Sequence, residues 1–306
     1  MSQLPRNKKP VVGLTLGISA YFVWGFFPVF FKQLIEVSPL EILAHRIAWA
    51  ALLLALLVTG RKQWKRLFGL FRNRTSLFRL LTTAFLISTN WLVFIIAVDA
   101  GYILQSSLGY FISPLVTILL ARLLLAERLR PWQKISVALA IAGVLCQVLV
   151  VGQFPWIALI LASSFGFYGL LRKTESFDAL TGLAGETILM APLALTYLGW
   201  LAFGDNMIFL HGNTRFDLLL PISGIVTVTP LLLFSAATRR LRLSSVGFLQ
   251  YITPTMHFLF AVFLYQEPFT GANLISFILI WCGLAIYSAD TSRAIHLANS
   301  STQPSA

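Results

Sequence analysis

Charge is scarce in this chain of 306 residues: Asp, Glu, Lys and Arg together make up 11%, and apolar side chains make up 58%. An ordinary soluble domain carries about a quarter charged residues, so water cannot be the main solvent of this one. Cysteine is nearly missing. Cys146 and Cys282 both fall inside apolar segments and offer neither a disulfide framework nor a thiolate metal site. The histidines His45, His211, His257 and His296 are scattered without zinc-site spacing. There is no Gly-rich phosphate loop and no nucleophile elbow, so ATP-driven work and hydrolysis lack sequence support, and no cofactor is expected.

What fills the chain is apolar runs of helix-spanning length. A helix needs roughly 17 to 25 apolar residues to cross about 30 Å of hydrocarbon. Ten such stretches are expected, near residues 11 to 31, 38 to 59, 77 to 98, 102 to 125, 132 to 151, 155 to 171, 179 to 203, 216 to 238, 244 to 265 and 271 to 289. They are apolar on every side rather than alternating, which favours helices over a β-barrel. The first run follows Arg6, Lys8 and Lys9 as a signal peptide would, but it is too long for an h-region and has no small-residue cleavage pattern; it reads as a retained span.

The net charge of +12 suggests nucleic acid until its placement is considered. Assigning the loops alternately to two sides leaves only Lys32 and Arg215 among the basic residues of one side. The other side takes Arg6, Lys8, Lys9, the cluster from Arg61 to Arg79, Arg128, Arg130, Arg172, Arg239 and Arg240. That asymmetry is the positive-inside rule with both termini cytoplasmic, so lipid is the expected partner and nucleic acid is not. Residues 60 to 76 place Trp64, Leu67, Phe68 and Phe71 at helical spacing, as in an amphipathic stretch lying on the membrane surface. The segment after Asp290 is polar and reads as a disordered tail.

The sequence also repeats itself. Pro114, Glu127 and Gly143 recur 140 positions on as Pro254, Glu267 and Gly283, and Leu40, Leu43, Ala44, Thr89 and Phe94 recur as Leu180, Leu183, Ala184, Thr229 and Phe234. Each unit holds five spans, an odd number, so the second must enter the membrane from the opposite side. The expected fold is an all-α membrane protein of ten transmembrane helices in two inverted five-helix repeats, N-in and C-in. The expected divisions are a cytoplasmic N-terminus (1–10), repeats at 11–151 and 155–289, and a cytoplasmic tail (290–306).

Trp24-Gly25 in the first span, Pro39-Leu40-Glu41 running into His45-Arg46 in the second, Ser113-Pro114 in the fourth, and Glu127 and Glu267 ending the fourth and ninth form an ordered set. In that order and spacing the chain resembles the drug/metabolite transporter superfamily, EamA-type, RarD branch, over about residues 10 to 290. The resemblance implies a ten-helix fold and the export or exchange of small organic solutes. The second repeat departs from the first where Trp24 becomes Tyr168 and Arg46 becomes Glu186, so the halves do not carry the same chemistry.

Ionisable groups inside a bilayer cost several kcal/mol unless paired or hydrated, which makes each a functional candidate. Glu41 and His45 share one face of the second span, and they and Glu186 are the expected proton carriers. Arg46 is expected to attract anionic groups or to hold Glu41 at one end of a central cavity, with Glu186 at the other. Tyr21, Trp24, Asn90, Trp91, Tyr110, Tyr168 and Gln250 complete the expected binding surface, since an amide facing lipid would be unsatisfied. Gly25, Pro114 and Pro254 are the expected hinges. Gly143, Gly169 and Gly283 are expected to admit neighbouring helices. The sum is a secondary transporter of a small molecule in the bacterial inner membrane, monomer or homodimer, and not an enzyme. The competing classes are a membrane enzyme acting on a lipid-linked substrate through Glu41, His45 and Arg46, and a channel, which the absence of polar pore rings disfavours.

Overall fold

The computed structural model describes residues 9–124, 130–149, 154–174, 177–238, 240 and 249–300, and among these the chain is helical with no strand. The helices are α1 (Lys9–Gly25), α2 (Phe27–Lys32), α3 (Pro39–Gly60), α4 (Trp64–Arg72), α5 (Arg74–Asp99), α6 (Ile103–Leu124), α7 (Pro131–Leu149), α8 (Trp156–Thr174), α9 (Ala179–Phe203), α10 (Thr214–Thr238), α11 (Ile252–Leu259) and α12 (Gly271–Ser300). A π-helical turn, Phe260–Leu264, continues α11. Among the described residues, five stretches are long and apolar enough to cross a membrane: Val11–Lys32, Pro39–Gly60, Arg74–Asp99, Leu180–Phe203 and Thr214–Phe234. Pro131–Cys146, Trp156–Arg172, Ile252–Leu264 and Gly271–Tyr287 are apolar but shorter.

Local chemistry sets the ends. Pro39 starts α3, where its missing N–H is no loss, and Asn73 accepts from Ser76 N at 3.1 Å to start α5. Asp178 caps α9 by accepting from Leu180 N and Thr181 N. The first turn of α6 is capped in trans: Glu267 accepts from Ile103 N and Leu104 N, each at 2.8 Å. Glu127, its repeat counterpart, lies outside the described residues, as do Arg128 and the Ser244–Phe248 stretch.

Three expectations need correcting. The segment after Asp290 is not a disordered tail through Ser300; α12 runs on to that residue, with no Gly or Pro after Asp290 to interrupt it. Asp290 pairs with Arg130 at 2.7 Å, tying α12 to the start of α7. Helix α4 is amphipathic as expected, yet its Leu67 is fully buried against Leu183 and Ala184 of α9, so α4 is docked on the bundle and not only on lipid. Gly169 admits no neighbour: a Cβ there would meet nothing within 4 Å.

Helix pairing follows one pattern. α3 lies on α9, α6 on α11 and α7 on α12, and in the division expected from sequence each pair sets a helix of residues 11–151 against one of residues 155–289. The other main contacts exchange in the same way: α1 meets α10 as α8 meets α5, α3 meets α10 as α9 meets α5, and α6 meets α8 as α11 meets α1. At the α7/α12 seam the exchange holds residue by residue. A Cβ on Gly143 would lie 3.0 Å from the Ser276 carbonyl oxygen, and one on Gly283 would lie 2.9 Å from that of Ser136. These glycines let two backbones touch where any side chain would separate them.

Candidate functional site

Where α1, α3, α5, α6, α10 and α11 converge there is a mostly apolar cavity of about 70 Å³. Tyr21, Trp24, Arg46, Asn90, Trp91, Tyr110 and Gln250 all line it, joined by Phe27, Phe94, Phe165, Thr253, Pro254 and His257. Tyr168 and Glu186 do not. Tyr168 donates to Glu186 at 3.3 Å, and Arg172 reaches the same carboxylate at 3.6 Å, so Glu186 belongs to a buried cluster between α8 and α9. The guanidinium of Arg172 passes over Gly182, where an added Cβ would collide with it.

Among the described residues Arg46 is the largest fully buried side chain, 1% exposed. Its Nε donates to Thr227 Oγ1 on α10 at 2.6 Å. Its guanidinium carbon stands 4.3 Å from the centre of the Trp91 ring and 5.2 Å from those of Phe27 and Phe31. Cation–π attraction of this kind is worth roughly 2 kcal/mol or more once water is excluded. Arg46 has no carboxylate within 4.0 Å among the described residues, and its Nη1 has no hydrogen-bond partner.

The remaining polar walls are held by neighbouring helices. Asn90 donates to the Leu161 carbonyl and to Ser164 Oγ, both at 3.0 Å, and accepts from the Tyr110 hydroxyl at 3.1 Å, so it both lines the cavity and ties α5 to α8. His257 is set by a proline. Pro28 has no N–H and so leaves the carbonyl of Trp24 without its helical partner. His257 Nε2 supplies the missing donor at 3.1 Å, and Thr253 Oγ1 donates to the Tyr21 carbonyl at 2.8 Å. A histidine from another helix thus compensates the carbonyl freed at Pro28.

Of the expected hinges, Gly25 lies at the break between α1 and α2, with Met256 so close that a Cβ would strike its sulfur. Pro254 is buried in the first turn of α11, and its carbonyl accepts from Ser107 at 2.8 Å. Pro114 falls within α6, which continues as helix through it. The expected proton carriers Glu41 and His45 are buried 3.9 Å apart, and Glu41 accepts from Ile208 N at 2.9 Å.

One end of the bundle is tied by side chains that reach between sequence-distant helices and loops. Glu41 binds loop 204–213, Glu267 caps α6, Arg215 donates to Gln33 Oε1 at 2.7 Å, and Lys32 donates to the Val98 carbonyl below the Tyr265 ring. Burial pushes the Glu267 carboxyl above its ordinary range, while the two backbone donors and Lys32 pull it down.

Residues 11–149 match the EamA-like transporter family. An uncharacterized transporter of Vibrio cholerae is 45% identical over 97% of this chain and 99% of its own length. Protein RarD of Escherichia coli is 44% identical over 91% of this chain and 94% of its own. The chain belongs to the RarD branch of the EamA-like transporters. Another RarD relative, described as chloramphenicol-sensitive protein RarD of Pseudomonas aeruginosa, is 33% identical over 92% of the chain and 95% of its own length. A crystal structure of a protein 17% identical superposes on 95% of the chain and 99% of its own with a TM-score of 0.59, so the helical arrangement is shared well beyond RarD-like sequences. This EamA-like transporter is therefore a multi-pass helical membrane protein.

Proposed function

We propose that the protein is a secondary transporter that carries a small organic solute across the bacterial inner membrane by alternating access. In this reading α1 with α2 forms the first span and α11 with its π turn the ninth, giving ten spans in two inverted halves with both termini cytoplasmic. The observation that carries the proposal is the exchange of helix contacts between the repeats around one central cavity. Such an arrangement has two related packings of similar energy, one opening to each side. The tied end described above is then the periplasmic one, and the structure is closed there. At about 70 Å³ the cavity holds a few waters, well short of the 300 Å³ at the lower end of ligand pockets, so binding requires it to widen.

Proton coupling falls to Glu41, His45 and Glu186, none of which lines the cavity. They would act on the packing of the halves and not by competing with solute. The enzyme reading loses its motif here, because Glu41 is engaged by Ile208 while Arg46 turns away to Thr227 and the cavity. The test is an untargeted comparison of metabolites inside and outside cells with and without the protein, with chloramphenicol included because one relative's name refers to it. Flux of the leading solute is then measured in proteoliposomes with and without an imposed pH gradient. Redistribution of an unchanged solute is expected. A covalent product, or no redistribution in either system, would overturn the reading, and indifference to the gradient would remove the proton carriers.

A further inference from the structure

We propose that the cargo is an organic anion, a carboxylate with a flat apolar body and a hydrogen-bond donor, and that Arg46 is the residue that selects the charge. The inference rests on the transport reading for what happens to the bound molecule, but the site itself is argued independently. A buried guanidinium is costly unless its charge and its donors are met. Arg46 meets that cost only in part. Of its five N–H donors, the Nε–H has Thr227, Nη1 has no partner, and the three aromatic faces attract the charge without accepting a forked hydrogen bond.

The acids that could have neutralised it are committed elsewhere. Glu41, on the same helix, accepts from Ile208, and Glu186, its counterpart in the second repeat, is held by Tyr168 and Arg172. A planar carboxylate entering the cavity matches what is missing: one negative charge and two acceptor oxygens in the geometry of the guanidinium fork. Chloride would supply the charge without the fork.

A second feature of the same cavity points to the rest of the molecule. The Trp24 carbonyl can only accept, so His257 Nε2 carries the proton, and in the neutral ring Nδ1 is a bare acceptor. That nitrogen is buried and without a partner. It therefore calls for a hydroxyl or N–H on the cargo. The wall between Arg46 and His257 is aromatic, with Trp91, Phe94 and Tyr110. An apolar, preferably flat, body between the two polar ends fits that surface.

The test uses the purified full chain in detergent, titrated calorimetrically with three acids and their primary amides: benzoate and benzamide, phenylacetate and phenylacetamide, and 4-hydroxyphenylacetate and 4-hydroxyphenylacetamide. In at least one pair the acid is expected to bind about 10- to 100-fold more tightly, as one charged hydrogen-bonded pair allows. Arg46→Gln should abolish that preference and Arg46→Lys should keep part of it. The hydroxylated acid should bind more tightly than phenylacetate, and His257→Phe should remove only that increment. Equal binding of acid and amide in all three pairs of the wild type would overturn the inference, whatever the variants do. So would an acid preference that survives in Arg46→Gln, or one that matched chloride eliminates without the organic acids competing back.

Counterflow of labelled benzoate and of neutral chloramphenicol in proteoliposomes separates the two readings. Arg46-dependent binding with no flux of either compound would leave the anion site standing and remove transport. Chloramphenicol flux unaffected by Arg46→Gln, with no preference for acids, would leave transport standing and remove the anion site.

Discussion

At the scale of single residues, the cavity depends on how Arg46 is held. Thr227 is its one hydrogen-bond acceptor among the described residues, and that Thr227 in turn donates to the Ser223 carbonyl. Replacing Thr227 with Val keeps the shape and leaves Nε–H unsatisfied beside a buried charge. The expected loss is about 1.5 to 3 kcal/mol, visible as a lowered unfolding temperature in detergent, and Thr227→Ser should restore most of it. An unchanged temperature in Thr227→Val would mean that the guanidinium finds another partner. Much of this site is legible in the sequence because a charged or amide side chain stands out against an apolar run. Arg46, Asn90, Trp91 and Gln250 are found that way, and all line the cavity. Thr227, Phe27 and Phe31 are not, since Thr and Phe are the ordinary background of these helices. Glu186 stands out equally well, but its partner Arg172 comes from the preceding helix, and only the close approach at Gly182 brings them together.

At the scale of helices, glycine is where sequence and structure part. A glycine in an apolar helix signals close packing or nothing, and the sequence does not say which. At Gly109 a Cβ would lie 2.8 Å from the backbone of Ala158, so α6 and α8 meet through it; at Gly169 there is open space. Gly109→Ala should therefore destabilise by about 1 to 3 kcal/mol through enforced separation of the two helices. Gly169→Ala should be neutral or stabilising by about 0.5 to 1 kcal/mol through helix propensity. Parallel unfolding scans of the two variants check this, and equal shifts would contradict the packing. The loop from Gly204 to Asn213 offers a pH test. The Phe209 carbonyl, then the Asp205 carboxylate, hold the His211 proton and raise its pKa, while slight burial opposes them. A raised imidazole pKa means that the contact is fully present below the ordinary value of about 6.5 and is lost as pH rises through the higher folded value. An NMR titration should place the His211 midpoint above that of a free imidazole, and Asp205→Asn should lower it.

At the scale of the whole molecule, the helical and membrane-spanning character could be read from hydropathy, because the bilayer forces it. The ties across one end could not, because they join residues such as Gln33 and Arg215, or Glu267 and Ile103, that share no local pattern. Those ties define what must break if the cavity is to open on that side. Gln33 and Arg215 are the most exposed of these pairs, and they join the end of α2 to the start of α10. With Cys146 and Cys282 replaced by Ser, cysteines introduced at 33 and 215 and bridged by a flexible bifunctional thiol reagent should hold that end shut. Flux in proteoliposomes is expected to fall at least 10-fold, with recovery on reduction, while each single-cysteine variant treated in the same way keeps its activity. Binding measured on the bridged protein in detergent should survive, since the cavity still has the other end through which to fill. Undiminished flux through the bridged protein would mean that the ties stay closed throughout the cycle, and alternating access built on the exchange of contacts between the halves would have to be abandoned.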